Sequence, residues 1–137
     1  MNYRTFVLLS IVLISISEQT NTAFAGIGSY ETKQIGRKSK ASYYTEASCR
    51  EEGTSGICAN GERLDDRKYT CASWKYRFGT LLKVTNEEGR SIVVRVTDRG
   101  PGRKALKRGV TIDLTSIAFA KLAPLRKGVI WVTVDCL

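Results

Sequence analysis

The sequence predicts a small, mainly β domain, a barrel or sandwich of about six strands with one short helix. Three observations predict it. Apolar residues recur in short alternating runs, of which Ile92, Val94 and Val96 against Val93, Arg95 and Thr97 is the clearest. Clusters of Gly, Pro, Asn and Asp separate those runs. Helical spacing occurs once, after Thr115.

Each element follows in order. Arg4, the apolar run Phe6 to Ile16 and the small-x-small triplet Ala23-Phe24-Ala25 describe a secretory signal peptide over residues 1–25, too short in its apolar part for a transmembrane anchor. Residues 26–39 are a polar, basic lead-in, expected to be flexible, and the folded domain is expected over residues 40–137. Ala41 to Thr45 alternates as a first strand, and Glu46 to Gly61 has the composition of a loop. Tyr69 to Trp74 is a short β-like run. Leu81 to Asn86 and Ser91 to Thr97 form a hairpin across Glu87-Glu88-Gly89-Arg90, with Gly89 where a positive φ is needed. Val93 suggests that the outer face of the second strand is partly covered. The chain then breaks at Asp98-Arg99-Gly100-Pro101-Gly102 and closes on Ile112-Asp113-Leu114. Thr115 can cap a helix over residues 116–122, with Leu114, Ile117, Ala118 and Leu122 on one side, and Pro124 ends it. Val129 to Cys136 is the last strand, with Trp131 expected in the core.

The chain of 137 residues carries 22 basic and 13 acidic residues, a net charge of +9. Such a surface favours anionic partners, and export makes a cell-wall polymer a better candidate than nucleic acid. Four cysteines, Cys49, Cys58, Cys71 and Cys136, in a small exported domain point to two disulfides. Spacing alone allows every pairing, with a lean to Cys49–Cys58 and Cys71–Cys136. Without histidine or a close Cys-x-x-Cys pair the chain shows no metal motif, and no cofactor is expected.

The lack of histidine also excludes Ser-His-Asp and Cys-His chemistry. The groups left for proton transfer are the carboxylates Glu62, Asp65, Asp66, Asp98 and Asp113. Carboxylates acting without metal suit glycosidic bond cleavage. Asp98 stands out, because a hydrophobic strand delivers it into a Gly/Pro turn, and desolvation there would raise its pKa.

The ordered segments Ala41-Ser42-Tyr43-Tyr44, Ala59-Asn60-Gly61-Glu62-Arg63-Leu64-Asp65, Phe78-Gly79-Thr80, Val84-Thr85-Asn86, Val93 to Pro101 and Ile112-Asp113-Leu114-Thr115 resemble the rare lipoprotein A (RlpA) family, over about Lys40 to Leu137. The resemblance implies a six-stranded double-psi β-barrel related to expansins, and a peptidoglycan lytic transglycosylase acting on glycan strands. It implies Asp98 as the catalytic acid/base, with Glu62 and Asp65 as assisting, groove-lining acids. Tyr44, Asn60, Ser73, Arg99 and Arg103 are then expected to contact substrate. Ser73 stands where the family carries a histidine; a hydroxyl can keep a hydrogen bond to Asp98 but supplies no titrating imidazole. The family's lipid-modified cysteine has no counterpart near the cleavage site.

Two functions follow. The first is an exported, monomeric enzyme, secreted or periplasmic, that cleaves glycan with formation of 1,6-anhydromuramic acid. The alternative is a non-catalytic, expansin-like module that binds cell-wall polysaccharide through its basic, aromatic groove. Arg99, Arg103, Lys104, Lys107 and Arg108 would rim the opening beside Asp98 in either case.

Overall fold

The computed structural model describes residues 36–53 and 55–137. The signal peptide and the lead-in as far as residue 35 lie outside the described residues. Six strands run β1 (Arg37–Tyr44), β2 (Thr70–Ala72), β3 (Leu81–Asn86), β4 (Ser91–Asp98), β5 (Val110–Thr115) and β6 (Ile130–Cys136). Three short helices, α1 (Glu46–Glu51), α2 (Arg103–Lys107) and α3 (Ser116–Leu122), lie between them, and a 3-10 turn spans Leu125–Lys127.

The strands close into a barrel in the order β1-β5-β2-β4-β3-β6. Two pairs, β1/β5 and β2/β4, are parallel, and the other four are antiparallel. Closure leaves no sheet edge exposed, which suits a domain this small. Alternation fills the interior with Leu82, Val84, Val94, Val96, Ile112, Leu114, Val132 and Val134, all buried. The β3–β4 hairpin turns through Gly89 at φ 83°. Helix α3 packs on β1, β4 and β5 and buries Phe119 completely, a contribution of about 1.5–3 kcal/mol. Buried Asn86 donates from Nδ2 to Leu122 O at 2.7 Å, giving the end of α3 a donor of the kind that its last carbonyls need.

Several expectations change. Strand β1 begins at Arg37, inside the segment read as lead-in, because its backbone pairs with Val134 to Ile130 of β6 while Lys38 and Lys40 point outward. Trp131 is 44% exposed rather than in the core: Val132 and Val134 take the inward positions, so alternation turns Trp131 out, beneath Lys38 and Lys40. Val93 is exposed for the same reason. Residues 46–51 form α1 rather than loop, capped through Thr45 Oγ1, which accepts from Ser48 N–H at 3.0 Å. Thr115 precedes α3 without capping it; its hydroxyl donates to Lys68 O at 2.6 Å and so ties the loop before β2 to β5.

The described residues hold no disulfide. The pairing Cys71–Cys136 is ruled out by topology, since β2 and β6 stand three strands apart in either direction around the barrel. Neighbouring strands are about 4.8 Å apart, whereas bridged cysteines need Cα atoms within roughly 7 Å. Cys71 is buried among core side chains, and burial pushes its thiol up to about 12. Cys58 is buried beside Asp98.

Candidate functional site

The site is assembled by the end of β4. In the parallel β2/β4 ladder Cys71 lies opposite Val96 but Ala72 lies opposite Asp98, so Thr97 is an extra residue, a bulge. A bulge re-aims the side chain that follows it. Asp98 is held in that new direction by two backbone N–H groups, from Ala59 at 2.9 Å and Arg99 at 2.8 Å, both on Oδ1. Asn60 N–H donates to Thr97 O at 3.1 Å, which fastens the 59–60 loop to the bulge.

Ala72 is also opposite Asp113 of β5. The small Ala72 therefore stands between two acids, whose Cα atoms are about two strand spacings, ~9.6 Å, apart. Both acids line one cleft of about 750 Å³. Ser42 donates its hydroxyl to Asp113 Oδ1. Burial raises the carboxyl of Asp113 above the usual carboxylate range, and the charges of Glu52 and Asp98 add to the effect. Tyr44 lines the same cleft, with a buried hydroxyl that has no hydrogen-bond partner among the described residues. Burial raises that phenol, with Cys58 and Asp98 contributing.

One wall of the cleft is basic. Arg99, Arg103, Lys104 and Arg108 all border it. Arg99 is committed to structure: its Nη1 donates to Ser73 O at 2.7 Å and Tyr76 O at 3.0 Å, and its guanidinium stacks 3.7 Å from the Phe78 ring. Arg103, Lys104 and Arg108 are exposed.

The structure thus brings Asp98, Tyr44, Arg99 and Arg103 together and adds Asp113. Glu62, Asp65, Asn60 and Ser73 are not on the cleft lining. Glu62 is held by Arg95 in a bidentate pair at 2.7 and 2.8 Å, and that bond keeps its carboxyl below the usual range. Asn60 serves Glu62, donating from Nδ2 at 3.0 Å. Asp65 pairs with Arg67 at 3.0 Å, and this hydrogen bond likewise lowers its carboxyl. Ser73 is 1% exposed, and its contact with Asp98 runs between backbones, Ser73 N–H to Asp98 O at 3.1 Å, while Oγ accepts from Lys75 N–H. The expected side-chain bond to Asp98 is not made. Asp113, among the acids noted in the sequence, carries one signal of its role: a carboxylate between two core residues, Ile112 and Leu114.

A family model described as "Lytic transglycolase" matches residues 37–134. A protein of Nostoc sp. named "Probable endolytic peptidoglycan transglycosylase RlpA" is 41% identical over 80 residues, 58% of this chain and 20% of its own. Its namesake from Aquifex aeolicus is 42% identical over 73 residues, 53% of this chain and 30% of its own. The chain therefore spans between a fifth and a third of the length of these relatives. Among solved structures, a Streptomyces papain inhibitor superposes with a TM-score of 0.56 at 30% identity, covering 76% of this chain and 97% of its own. The expansin of Clavibacter michiganensis superposes at 0.53 with 23% identity, over 75% of this chain and 50% of its own, a likeness of fold.

Proposed function

The chain belongs to the lytic transglycolase family of RlpA-like double-psi barrels, and from that premise we propose that it cleaves peptidoglycan glycan strands by lytic transglycosylation. The observation that carries the reading is the pair of acids, Asp98 and Asp113, flanking Ala72 on one cleft.

On this reading Asp113 holds a proton further toward neutral pH than an ordinary carboxyl and donates it to the glycosidic oxygen. The 6-hydroxyl of the muramic acid unit closes on C1 and gives its proton to Asp98 Oδ2, the oxygen that the two N–H donors leave unused. One C–O bond breaks and one forms, producing a 1,6-anhydro end and a free hydroxyl. The proton returns from Asp98 to Asp113 through solvent, so no water enters the products. Spacing of about two strands leaves room for a sugar between the acids. The buried Tyr44 hydroxyl offers a donor to a sugar oxygen at the cleft base. Asp113 takes the partner role that the sequence had given to Glu62 and Asp65.

The same reading places the protein outside the cytoplasm as a monomer, with residues 1–25 removed; N-terminal sequencing of the exported protein tests that part. For the reaction, the wild type should release 1,6-anhydro products from denuded glycan, and Asp98→Asn should not.

A second reading is a barrel that binds without turnover, whether to polysaccharide as expansin-like modules are expected to, or to a protein. The observation in its favour is the likeness of this barrel to a Streptomyces papain inhibitor at 30% identity with a TM-score of 0.56. Retention on insoluble peptidoglycan without product release would support polysaccharide binding, and inhibition of papain would support protein binding.

A further inference from the structure

We infer that the α2 wall of the cleft recognises a carboxylate carried by the sugar chain, so that the barrel selects an anionic glycan over a neutral one. The inference rests on the glycan-cleaving reading and specifies its substrate.

Opposite charges line the same cleft without pairing. Asp98, Asp113 and Glu52 border it, and so do Arg103, Lys104 and Arg108. The five salt bridges among the described residues use none of these six groups. The cations belong to one unit: Arg103 and Lys104 lie on α2, and Arg108 is its C-cap residue, whose carbonyl accepts from Lys40 Nζ at 3.1 Å. That unit follows Asp98 through the short turn Arg99 to Gly102, so the wall and the acid it faces are set by one piece of backbone. All three cations are exposed and available to a ligand.

An anionic ligand would be repelled by the acids alone. The cations offset that repulsion and orient the ligand, with its carboxylate on the guanidinium forks and its reacting bond on the acids. A neutral glycan would need no such wall, and its hydroxyls could be served by the acids and Tyr44. The carboxylate could sit on an acidic ether substituent of the sugar or on a peptide attached to it. Denuded glycan carries the first and lacks the second, and we assign the sugar carboxylate.

Binding is measured with Asp98→Asn protein, so that turnover does not consume the ligand. The probes are denuded glycan, the same glycan with its carboxylates amidated by carbodiimide, glycan still bearing peptides, and an N-acetylglucosamine hexamer. Denuded glycan should bind about tenfold more tightly than its amidated form at low salt, and added salt should shrink the ratio. Adding R103Q, K104Q and R108Q together should bring the ratio close to one, with circular dichroism showing that the barrel still melts cooperatively. Equal binding of untreated and amidated glycan, or a ratio unchanged in the triple variant, overturns the inference. Discrimination seen only with peptide-bearing glycan overturns the assignment to the sugar. Binding without discrimination leaves the glycan-cleaving reading standing, whereas no binding to any of the four probes overturns both.

Discussion

Gly100 supplies the sharpest geometric test of the acid pair. A Cβ built there would lie 3.0 Å from Ala72 Cβ and 3.4 Å from Asp113 Oδ2. Both approaches lie at or below the short limit of ordinary van der Waals contact, so Gly100→Ala must move the β2 end or the turn by a few tenths of an ångström. Ala72 is the residue that spaces Asp98 from Asp113, and both the added methyl and its displacement act on that spacing. A misplacement of about 1 Å in a reacting constellation costs about 10²-fold in rate, so a shift of a few tenths should cost roughly three- to tenfold, about 1 kcal/mol in the barrier. Overpacking costs about 1–3 kcal/mol in stability, which a barrel of this size should survive at 25 °C. At Gly102, two residues on, an added Cβ meets nothing within 4 Å, and its φ of −64° is ordinary for any residue. The assay is release of soluble glycan fragments at fixed protein concentration, with urea unfolding run on each variant. Gly100→Ala should lose roughly three- to tenfold in kcat/KM while still folding, and Gly102→Ala should lose far less. Wild-type turnover in a folded Gly100→Ala protein would refute the argument that the spacing across Ala72 sets the chemistry.

Asp113→Asn should stabilise the fold at neutral pH while abolishing product release. The folded-state pKa of Asp113 is raised, so its stability contribution is full below the unfolded carboxylate value and is lost as pH rises through the folded value. Urea unfolding from pH 3 to 8 should therefore show wild type and variant converging at the acidic end, with the variant the more stable near neutrality. Glu62→Gln should leave turnover much closer to wild type than Asp98→Asn does, because the Arg95 pair lies outside the cleft; equal losses would return Glu62 to the reacting groups. Phe119→Ala should cost about 3–5 kcal/mol by urea unfolding, since the ring is fully buried under α3. Peptide mapping under non-reducing conditions should yield no Cys71–Cys136 linkage, and its recovery would contradict the strand order.

Local pattern carried much of this fold. Alternation in Ile92-Val94-Val96 and the glycine of Glu87-Glu88-Gly89-Arg90 specify the β3–β4 hairpin, and the apolar spacing after Thr115 specifies α3. Asp98 was legible because a buried strand ends on it before a Gly/Pro turn. Features that depend on pairing between distant segments were not. Strand β1 starts among basic residues whose role is visible only once β6 lies beside them. The apolar character of Trp131 points to the core, but the inward alternation of Val132 and Val134 turns it to the surface. The partnership of Asp98 with Asp113 exists because β2 inserts between β4 and β5 with a one-residue bulge, a register that no short stretch encodes. Glu62 and Asp65 looked available as acids until the structure gave each an arginine.

The most direct test of the central claim is mass spectrometry of the products formed from denuded peptidoglycan by the wild type, Asp98→Asn and Asp113→Asn. The wild type should give 1,6-anhydromuramic ends and neither variant should give any. Reducing ends formed by hydrolysis, full activity in either variant, or papain inhibition without any glycan product would contradict it.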